Sequence, residues 1–352
     1  MSRRRLFLDE APGETRGVVT LDGLPERLLI RRADDIPAQQ LGARLVARVA
    51  RIDRPLASAF LDMGEGPDAV LALSGEGVVR RLLASLMEGA AVEVEVAAEA
   101  RRDKGALARL IGPAEGPVRL LQAAPGLAEQ LTTFAQGAGV ETGPPARAAA
   151  DLAEAAALDV VHPLPGGGSI AIEPTRALTA VDVDRGAGRG ETARGARRVN
   201  LAAVSETARL LRLKGLGGLV AIDLIGSGHD GAALAAAAKA AFAPDEPGVS
   251  IGPVSRFGLL QLVLPRRRRP VAERLCGEDG APTPATLVLR GLRSLEREAA
   301  ADRGARLLAR CAPAVAAAAR PYIEALSARI GARFEIRAVE GAAADHFEVS
   351  TL

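Results

Sequence analysis

The 352-residue sequence predicts an α+β fold that includes a small β-barrel. Between residues 40 and 112, short apolar runs with period-two alternation follow one another, as in the alternating valines and glutamates of 92–96. Several short strands at such spacing are typical of a small barrel. A strand, helix, strand pattern then runs from 169 to 223, and residues 284–352 read as two helices followed by two strands.

The elements are predicted in chain order from periodicity and from turn and cap signals. Residues 1–38 suit a small sheet edge, with a turn at Asp22-Gly23. Thr283 before Pro284 is a plausible helix cap. The predicted strands are 5–9, 17–21, 43–52, 57–63, 69–73, 92–96, 333–339 and 346–351, and the predicted helices are 146–158, 200–214, 231–242, 284–301 and 313–330.

Composition narrows the class of protein. A chain of this length favours two or three compact units, and 48% hydrophobic residues supply ample core. The formal charge of +2 does not by itself suggest nucleic acid, although arginines cluster locally. Two cysteines form no disulfide framework, and no apolar run is long enough to cross a membrane. We expect a soluble, cytoplasmic protein with no membrane partner.

Three aspartates are the candidate catalytic residues. Strict alternation in 178–184 puts Asp182 and Asp184 on one face of a strand, and Asp223 ends the next predicted strand. Two carboxylates at neighbouring strand ends can hold one divalent metal ion. The alternative is that these aspartates only cap loops at strand ends.

Three ordered motifs resemble the ribonuclease E/G family. They are Ile172-Glu-Pro-Thr…Asp-Val-Asp-Arg-Gly186, then Asn200-Leu-Ala-Ala with Leu216-Gly-Gly-Leu-Val-Ala-Ile-Asp223, and Ser255-Arg-Phe-Gly-Leu-Leu260 followed by a basic run. The resemblance implies that Asp182 and Asp223 bind Mg²⁺, with Mn²⁺ as a possible substitute. Asp184 stands where the family usually has Asn, so it could tighten metal binding or repel the scissile phosphate.

The resemblance also implies the division of the chain. Residues 1–38 and 116–163 would form a ribonuclease H-like remnant, and 39–115 would form an inserted OB-type RNA-binding barrel, with Leu56–Gly64 resembling its signature. Residues 164–275 would form the catalytic deoxyribonuclease I-like subdomain, followed by a small C-terminal α/β domain at 284–352.

RNA contacts follow from the same resemblance. Phe60 matches a barrel phenylalanine that stacks on bases, whereas the second such position holds Val70. Phe60 could instead be barrel core, and the basic run could be a solvated turn. The candidate RNA-binding residues are Phe60, Lys104, Arg256, Arg266, Arg267, Arg268 and Arg269.

Two family features are missing from the sequence. No Val-Arg-Thr element, which binds an RNA 5′-monophosphate in the family, occurs in the chain. The family's zinc-binding Cys-Pro-x-Cys motif is replaced by Cys276-Gly-Glu-Asp. One thiol per subunit cannot complete a four-sulfur site in a dimer, so we expect neither zinc nor a zinc-linked dimer.

The sequence therefore predicts a compact Mg²⁺-dependent endoribonuclease. It would cut single-stranded RNA in ribosomal RNA processing or messenger decay and leave a 5′-phosphate and a 3′-hydroxyl. Two alternatives remain: a non-catalytic RNA-binding paralogue, and a metal phosphoesterase that acts on small nucleotides.

Overall fold

A computed structural model describes residues 3–74, 83, 85–102, 104–135, 137–186, 193–245 and 247–352. These residues form helices and several mixed sheets, so the predicted α+β class is confirmed. No helix in the described part of the chain is both long and apolar enough to cross a membrane.

The first sheet is built from three consecutive antiparallel strands, β1 (Arg4–Ala11), β2 (Glu14–Leu21) and β3 (Leu24–Arg32). The predicted turn at Asp22-Gly23 is present, and both residues have positive φ, 51° and 85°. The prediction missed β3 because both of its faces are buried, with Leu28 and Leu29 in two different cores. A strand buried on both sides shows no alternation.

The second sheet contains β4 (Arg44–Asp53), β5 (Ser58–Asp62), β6 (Ala69–Ala72), β7 (Ala91–Ala98), β8 (Leu107–Pro113) and β9 (Arg119–Gln122). Strand pairings lead from β4 through β5, β6, β8 and β7 back to β4, and β6 runs parallel to β8. Leu45, Leu61 and Val94 are fully buried in a separate apolar core. This unit therefore has its own centre of packing.

Two helices then cover the first sheet. Helix α1 (Leu127–Ala135) packs on one face of that sheet, and a short strand β10 (Val140–Glu141) joins β1 in parallel. Helix α2 (Pro144–Leu158) packs on the other face through fully buried alanines such as Ala146 and Ala150. Because β1 has neighbours on both sides, the expectation that residues 1–38 form a sheet edge is wrong for this strand.

The third sheet carries the candidate catalytic residues. Its strands are β11 (Val161–Pro163), β12 (Ser169–Pro174), β13 (Thr179–Asp184), β14 (Gly218–Asp223), β15 (Ser250–Val254) and β16 (Leu259–Leu264), in the order β11-β12-β13-β14-β16-β15. Helices α3 (Ala193–Lys214) and α4 (Gly231–Phe242) lie on one face. Since α3 also contacts β3, it is packed between the first and third sheets, whose apolar residues share one core.

The remaining residues form a helical turn, α5 (Val271–Leu275), and a terminal unit. That unit consists of α6 (Pro284–Ala301), β17 (Leu307–Cys311), α7 (Pro313–Ala319), α8 (Ile323–Ile330), β18 (Phe334–Ala338) and β19 (Phe347–Thr351). Thr283 caps α6 as expected, since its side chain accepts a hydrogen bond from the Thr286 N–H. The predicted single helix over 313–330 is wrong: a 3₁₀ turn at Arg320–Tyr322 containing Pro321 separates two helices.

Candidate active site and RNA-binding surfaces

Two aspartates lie side by side at the ends of parallel strands. Asp182 on β13 is in direct register with Asp223 on β14, and both side chains are exposed on the face of the sheet opposite α3. Parallel strands are about 4.8 Å apart, so the two carboxylates can reach one small ion. The two strands of the strand, helix, strand unit run in the same direction, so their carboxyl ends, and with them the two aspartates, lie at the same edge of the sheet.

The alternation predicted for β13 is confirmed. Val181 and Val183 point into the core, whereas Asp182 and Asp184 are exposed on the other face. Asp184 lies two residues farther along the strand, about 7 Å from Asp182, and one of its carboxylate oxygens accepts a hydrogen bond from the Gly186 N–H at 3.0 Å. Asp184 thus also organises the turn that follows the strand.

The donor set suits Mg²⁺ with a partly solvated coordination sphere. Within the described residues, no hydrogen bond or ion pair engages the carboxylates of Asp182 and Asp223. The described part of the chain contains no group of three or more His, Cys, Asp or Glu side chains that could hold a metal ion. Mg²⁺ commonly takes only one or two carboxylates and completes its shell with water and substrate phosphate oxygens, so this pair fits it.

A buried asparagine fixes the chain just beyond Asp223. The Asn200 side chain on α3 donates to the Ile225 carbonyl at 3.0 Å and accepts from the Ile225 N–H at 3.1 Å. Asn200 is only 2% exposed, so this pair of hydrogen bonds is shielded from water. Asn200 therefore acts as a positioning residue for the end of β14.

A cavity of about 310 Å³ opens beside this segment. Arg194, Arg197 and His229 line it, together with Asp230, which caps α4 and pairs with Arg197 at 3.1 Å. Hydrogen bonds from the Ala233 N–H and from Arg197 lower the pKa of Asp230. His229, six residues beyond Asp223 in the sequence, thus lies on the wall of this cavity.

The β15–β16 turn brings an aromatic residue next to the aspartates. Asp223 is in register with Leu259, and the Leu224 N–H donates to the Gly258 carbonyl, so the turn lies beside the end of β14. Phe257 is 72% exposed in this turn, and the guanidinium carbon of Arg256 lies 4.7 Å from its ring centroid. The motif analysis singled out Arg256 and missed Phe257, although the Arg-Phe dipeptide was visible.

Phe60 lies on the outer side of the second sheet. Its strand neighbours Ala59 and Leu61 are buried in the core, whereas Phe60 is half-buried and pairs across strands with Val70. The guanidinium of Arg51 covers the Phe60 ring at 4.1 Å. Phe60 is therefore not part of the apolar core of the second sheet, because its ring lies on the other face.

Lys104 is exposed and forms an isolated bridge with Arg101. The strand that begins at Leu107 pairs with β6 at Val70, which is the cross-strand partner of Phe60. Lys104 thus precedes a strand of the same sheet as Phe60. Asp103, next to it, lies outside the described residues.

The arginine run is engaged with the protein itself. Arg266 donates to the Gly217 carbonyl, Arg267 to the Pro247 carbonyl, and Arg268 to the Gln130 side chain. Arg269 donates to the Glu273 carbonyl, and its own N–H donates to the carboxylate of Glu99, the residue after β7. Only Arg267 and Arg269 are exposed, so the run connects the third sheet to its neighbours and is only partly a surface.

The two thiols lie apart from this site. Cys276 is half-buried after α5, and Cys311 is buried in the terminal unit. Burial raises the pKa of both thiols.

Comparison with known proteins confirms the resemblance drawn from the motifs. The Ribonuclease E/G family profile matches residues 149–269. Ribonuclease E of Haemophilus influenzae is 37% identical over 147 residues, 39% of this chain and 16% of that protein. Ribonuclease E of Escherichia coli K12 is 36% identical over 147 residues, 39% of this chain and 14% of that protein.

Ribonuclease G of Salmonella typhimurium is 30% identical over 166 residues, 44% of this chain and 34% of that protein. The aligned part of the chain thus spans only 14 to 34% of these three relatives. The family match includes Asp182, Asp223 and Arg256, whereas Phe60 and Lys104 lie outside it.

Proposed function

We propose that the chain is a Mg²⁺-dependent endoribonuclease that cuts single-stranded RNA in ribosomal RNA processing or messenger decay, because residues 149–269 match the Ribonuclease E/G family profile. Hydrolysis would leave a 5′-phosphate and a 3′-hydroxyl. One observation carries the proposal: Asp182 and Asp223 are exposed and in register on adjacent parallel strands, and no hydrogen bond or ion pair among the described residues engages their carboxylates. Loop-capping aspartates would be expected to bond to nearby backbone N–H groups, as Asp184 does.

Asp182 and Asp223 would hold Mg²⁺ or Mn²⁺ through their carboxylates. Bound there, the ion would supply an activated water and neutralise charge on the scissile phosphate. The protein's own contribution is orientation. Asn200 fixes the backbone after Asp223, and the Arg256–Phe257 turn offers a cation and an aromatic face beside it.

The second sheet would also bind RNA. We infer that strands β4 to β8 of this sheet form an OB-type barrel within residues 39–115, because their pairings return to β4 and include one parallel pair. Phe60 under Arg51 would provide a base-stacking platform, and Lys104 a backbone contact. Stacking on an aromatic side chain contributes on the order of 1–3 kcal/mol per base.

The proposal extends to domain division and metal content. Residues 1–38 and 116–163 would be the ribonuclease H-like remnant, 164–275 the catalytic subdomain and 284–352 the terminal domain. With Cys276 alone in its segment, neither zinc nor a zinc-linked dimer is expected.

Incubation of purified protein with an end-labelled single-stranded RNA, with Mg²⁺ or with chelator, tests the activity. We expect internal cleavage only with Mg²⁺. Asp182→Asn and Asp223→Asn should each abolish it while RNA affinity and the circular dichroism spectrum stay unchanged, because the charge that holds the ion is removed without a change in side-chain size.

Glu173→Gln is the matched control, since Glu173 is an exposed carboxylate on the adjacent strand β12. It should cleave like wild type. Undiminished cleavage by either aspartate variant would disprove the site. Tight RNA binding without any metal-dependent cleavage would favour the non-catalytic paralogue, and cleavage confined to mononucleotides would favour the small-nucleotide phosphoesterase.

A further inference from the structure

A second cavity lies at the other end of the third sheet. It has a volume of about 60 Å³ and is lined by residues of β3, α1 and the segment 268–274. Gly215, just before β14, is part of its wall, whereas Asp223 ends that strand. At about 3.3 Å per residue, the length of β14 separates this cavity from the aspartate pair.

The lining of this cavity is strongly cationic. Two carboxylates, Asp35 and Glu99, face six guanidinium groups. Ion pairs to Asp245 and Glu26 offset part of the excess. The six arginines are Arg27, Arg31, Arg212, Arg268, Arg269 and Arg274.

Several of these guanidinium groups lack a close carboxylate. Among the described residues, Arg31 donates only to the Pro125 carbonyl, and the Arg269 side chain only to the Glu273 carbonyl. Arg268 is 4.0 Å from its carboxylate partner, Glu99. The Nε of Arg212 is buried and has no hydrogen-bond partner in the part of the chain that the structure describes, and its side chain is 7% exposed. A buried donor left without an acceptor is costly.

The pKa values of the cavity arginines also indicate that their positive charges are poorly compensated. Burial lowers the pKa of Arg27 to about 10, against a partly offsetting attraction from Asp245. Burial also lowers the pKa of Arg268 and of Arg269, with further lowering by neighbouring arginines such as Arg31 and Arg274. The folded chain therefore holds these cations at a cost in free energy, which a bound anion would reduce.

We propose that this cavity binds a single phosphate dianion, either free or as the 5′-phosphate of a mononucleotide. One water molecule needs at least about 10–15 Å³ of cavity volume. The cavity of about 60 Å³ therefore has room for a few waters or one phosphate group, and it is too small for an RNA strand. Guanidinium groups present paired N–H donors that match phosphate oxygens. The proposal goes beyond the ribonuclease function and does not depend on it.

Isothermal titration calorimetry of the full chain, in chelator and without RNA, tests this site. Sodium phosphate should bind with a stoichiometry near one, whereas sodium chloride at matched ionic strength should give no saturable heat. Adenosine 5′-monophosphate binding more tightly than phosphate would identify the mononucleotide as the source, and equal affinity would identify free phosphate. Adenosine should not bind.

Arg31→Met and Arg269→Met should each weaken phosphate binding by about tenfold or more, about 1.4 kcal/mol. Arg337→Met is the control, because Arg337 is an exposed arginine of the terminal unit, paired with Glu335. Circular dichroism establishes that each variant is folded. The proposal is overturned if wild type shows no saturable phosphate binding, if adenosine binds as well as its monophosphate, or if both folded variants bind phosphate like Arg337→Met.

Discussion

Arg16→Met should destabilise the protein far more than the same change at a surface arginine. The Arg16 side chain is fully buried and makes ion pairs with Asp9 at 2.5 Å, Asp151 at 2.8 Å and Glu154 at 3.0 Å. Asp9 and Glu154 are themselves 4% and 6% exposed. The substitution keeps an unbranched chain of similar length, so its main effect is to leave two buried carboxylates without this cation.

The size of the effect follows from the partners that remain. Asp9 keeps Arg147 at 3.1 Å, and Glu154 keeps Arg290 at 2.6 Å. Removing one partner of a buried ion pair typically costs about 3–5 kcal/mol. Because both carboxylates retain a second arginine, we expect a loss near the lower end, about 3 kcal/mol in the free energy of unfolding.

Urea unfolding followed by far-ultraviolet circular dichroism measures this loss, since the chain has no tryptophan. Arg5→Met is the matched control on the same sheet, because Arg5 pairs with Glu141 at 2.6 Å but both side chains are well exposed. We expect no measurable change for it. A loss in Arg16→Met no larger than in Arg5→Met would refute the reasoning.

The buried ion pairs of Arg16 also predict how the stability of the fold depends on pH. Burial alone would raise the pKa of Asp9, but the charges of Arg16 and Arg147 outweigh it and hold that pKa below its ordinary value. Glu154 behaves likewise, with burial opposed by Arg293, Arg290 and Arg16. Carboxyls with a lowered folded-state pKa stabilise the fold above their unfolded values of about 3.9 and 4.3, and this stabilisation is lost as the pH falls through the folded-state values. The difference between wild type and Arg16→Met should therefore shrink below about pH 4.

Two further predictions concern RNA. Asp184→Asn keeps an oxygen that can accept the Gly186 hydrogen bond and removes a negative charge near the scissile phosphate, so cleavage at saturating Mg²⁺ should be faster; a large loss of rate would make Asp184 a metal ligand instead. Phe60→Ala should weaken binding of single-stranded RNA without changing its salt dependence, whereas Arg256→Met should reduce the slope of log affinity against log salt by about 0.7 if one phosphate contact is lost. Fluorescence anisotropy between low and moderate salt measures both slopes, and an unchanged slope for Arg256→Met would exclude that contact.

The arrangement of Asp182 and Asp223 could be predicted from sequence because it depends on local rules. Period-two alternation fixed the face of Asp182 on β13, and a helix between two strands favours parallel pairing, which aligns the strand ends. The terminal helix beginning at Pro284 was equally local, since Thr283 supplies its cap. By contrast, Pro321 was visible in the sequence, and its effect as a helix breaker was overlooked.

The behaviour of the arginines could not be predicted in this way, because it depends on partners far away in the chain. Four consecutive arginines at 266–269 were predicted to bind RNA phosphates, with a solvated turn as the alternative. In the fold, Arg268 reaches Gln130, 138 residues away, and the Arg269 N–H reaches Glu99, 170 residues away. The packing of α1 and of the residue after β7 against the segment 266–274 creates those contacts.

Some arginines line a small cavity and others lie over aromatic rings, and this difference bears on how the protein would bind RNA. The half-buried Arg268 lines a cavity too small for a strand, and so does the exposed Arg269, whereas Arg256 and Arg51 lie over exposed or half-buried phenylalanine rings. A guanidinium over an aromatic face can accompany a stacked base and still reach a backbone phosphate. Binding should therefore depend most on the two Arg–Phe pairs, one of which, Arg256–Phe257, lies beside the aspartate at the end of β14. A cluster of arginines in the sequence predicts phosphate binding. Whether the guanidinium groups line a small cavity or lie on an open surface would decide whether that phosphate belongs to a small ligand or to an RNA strand.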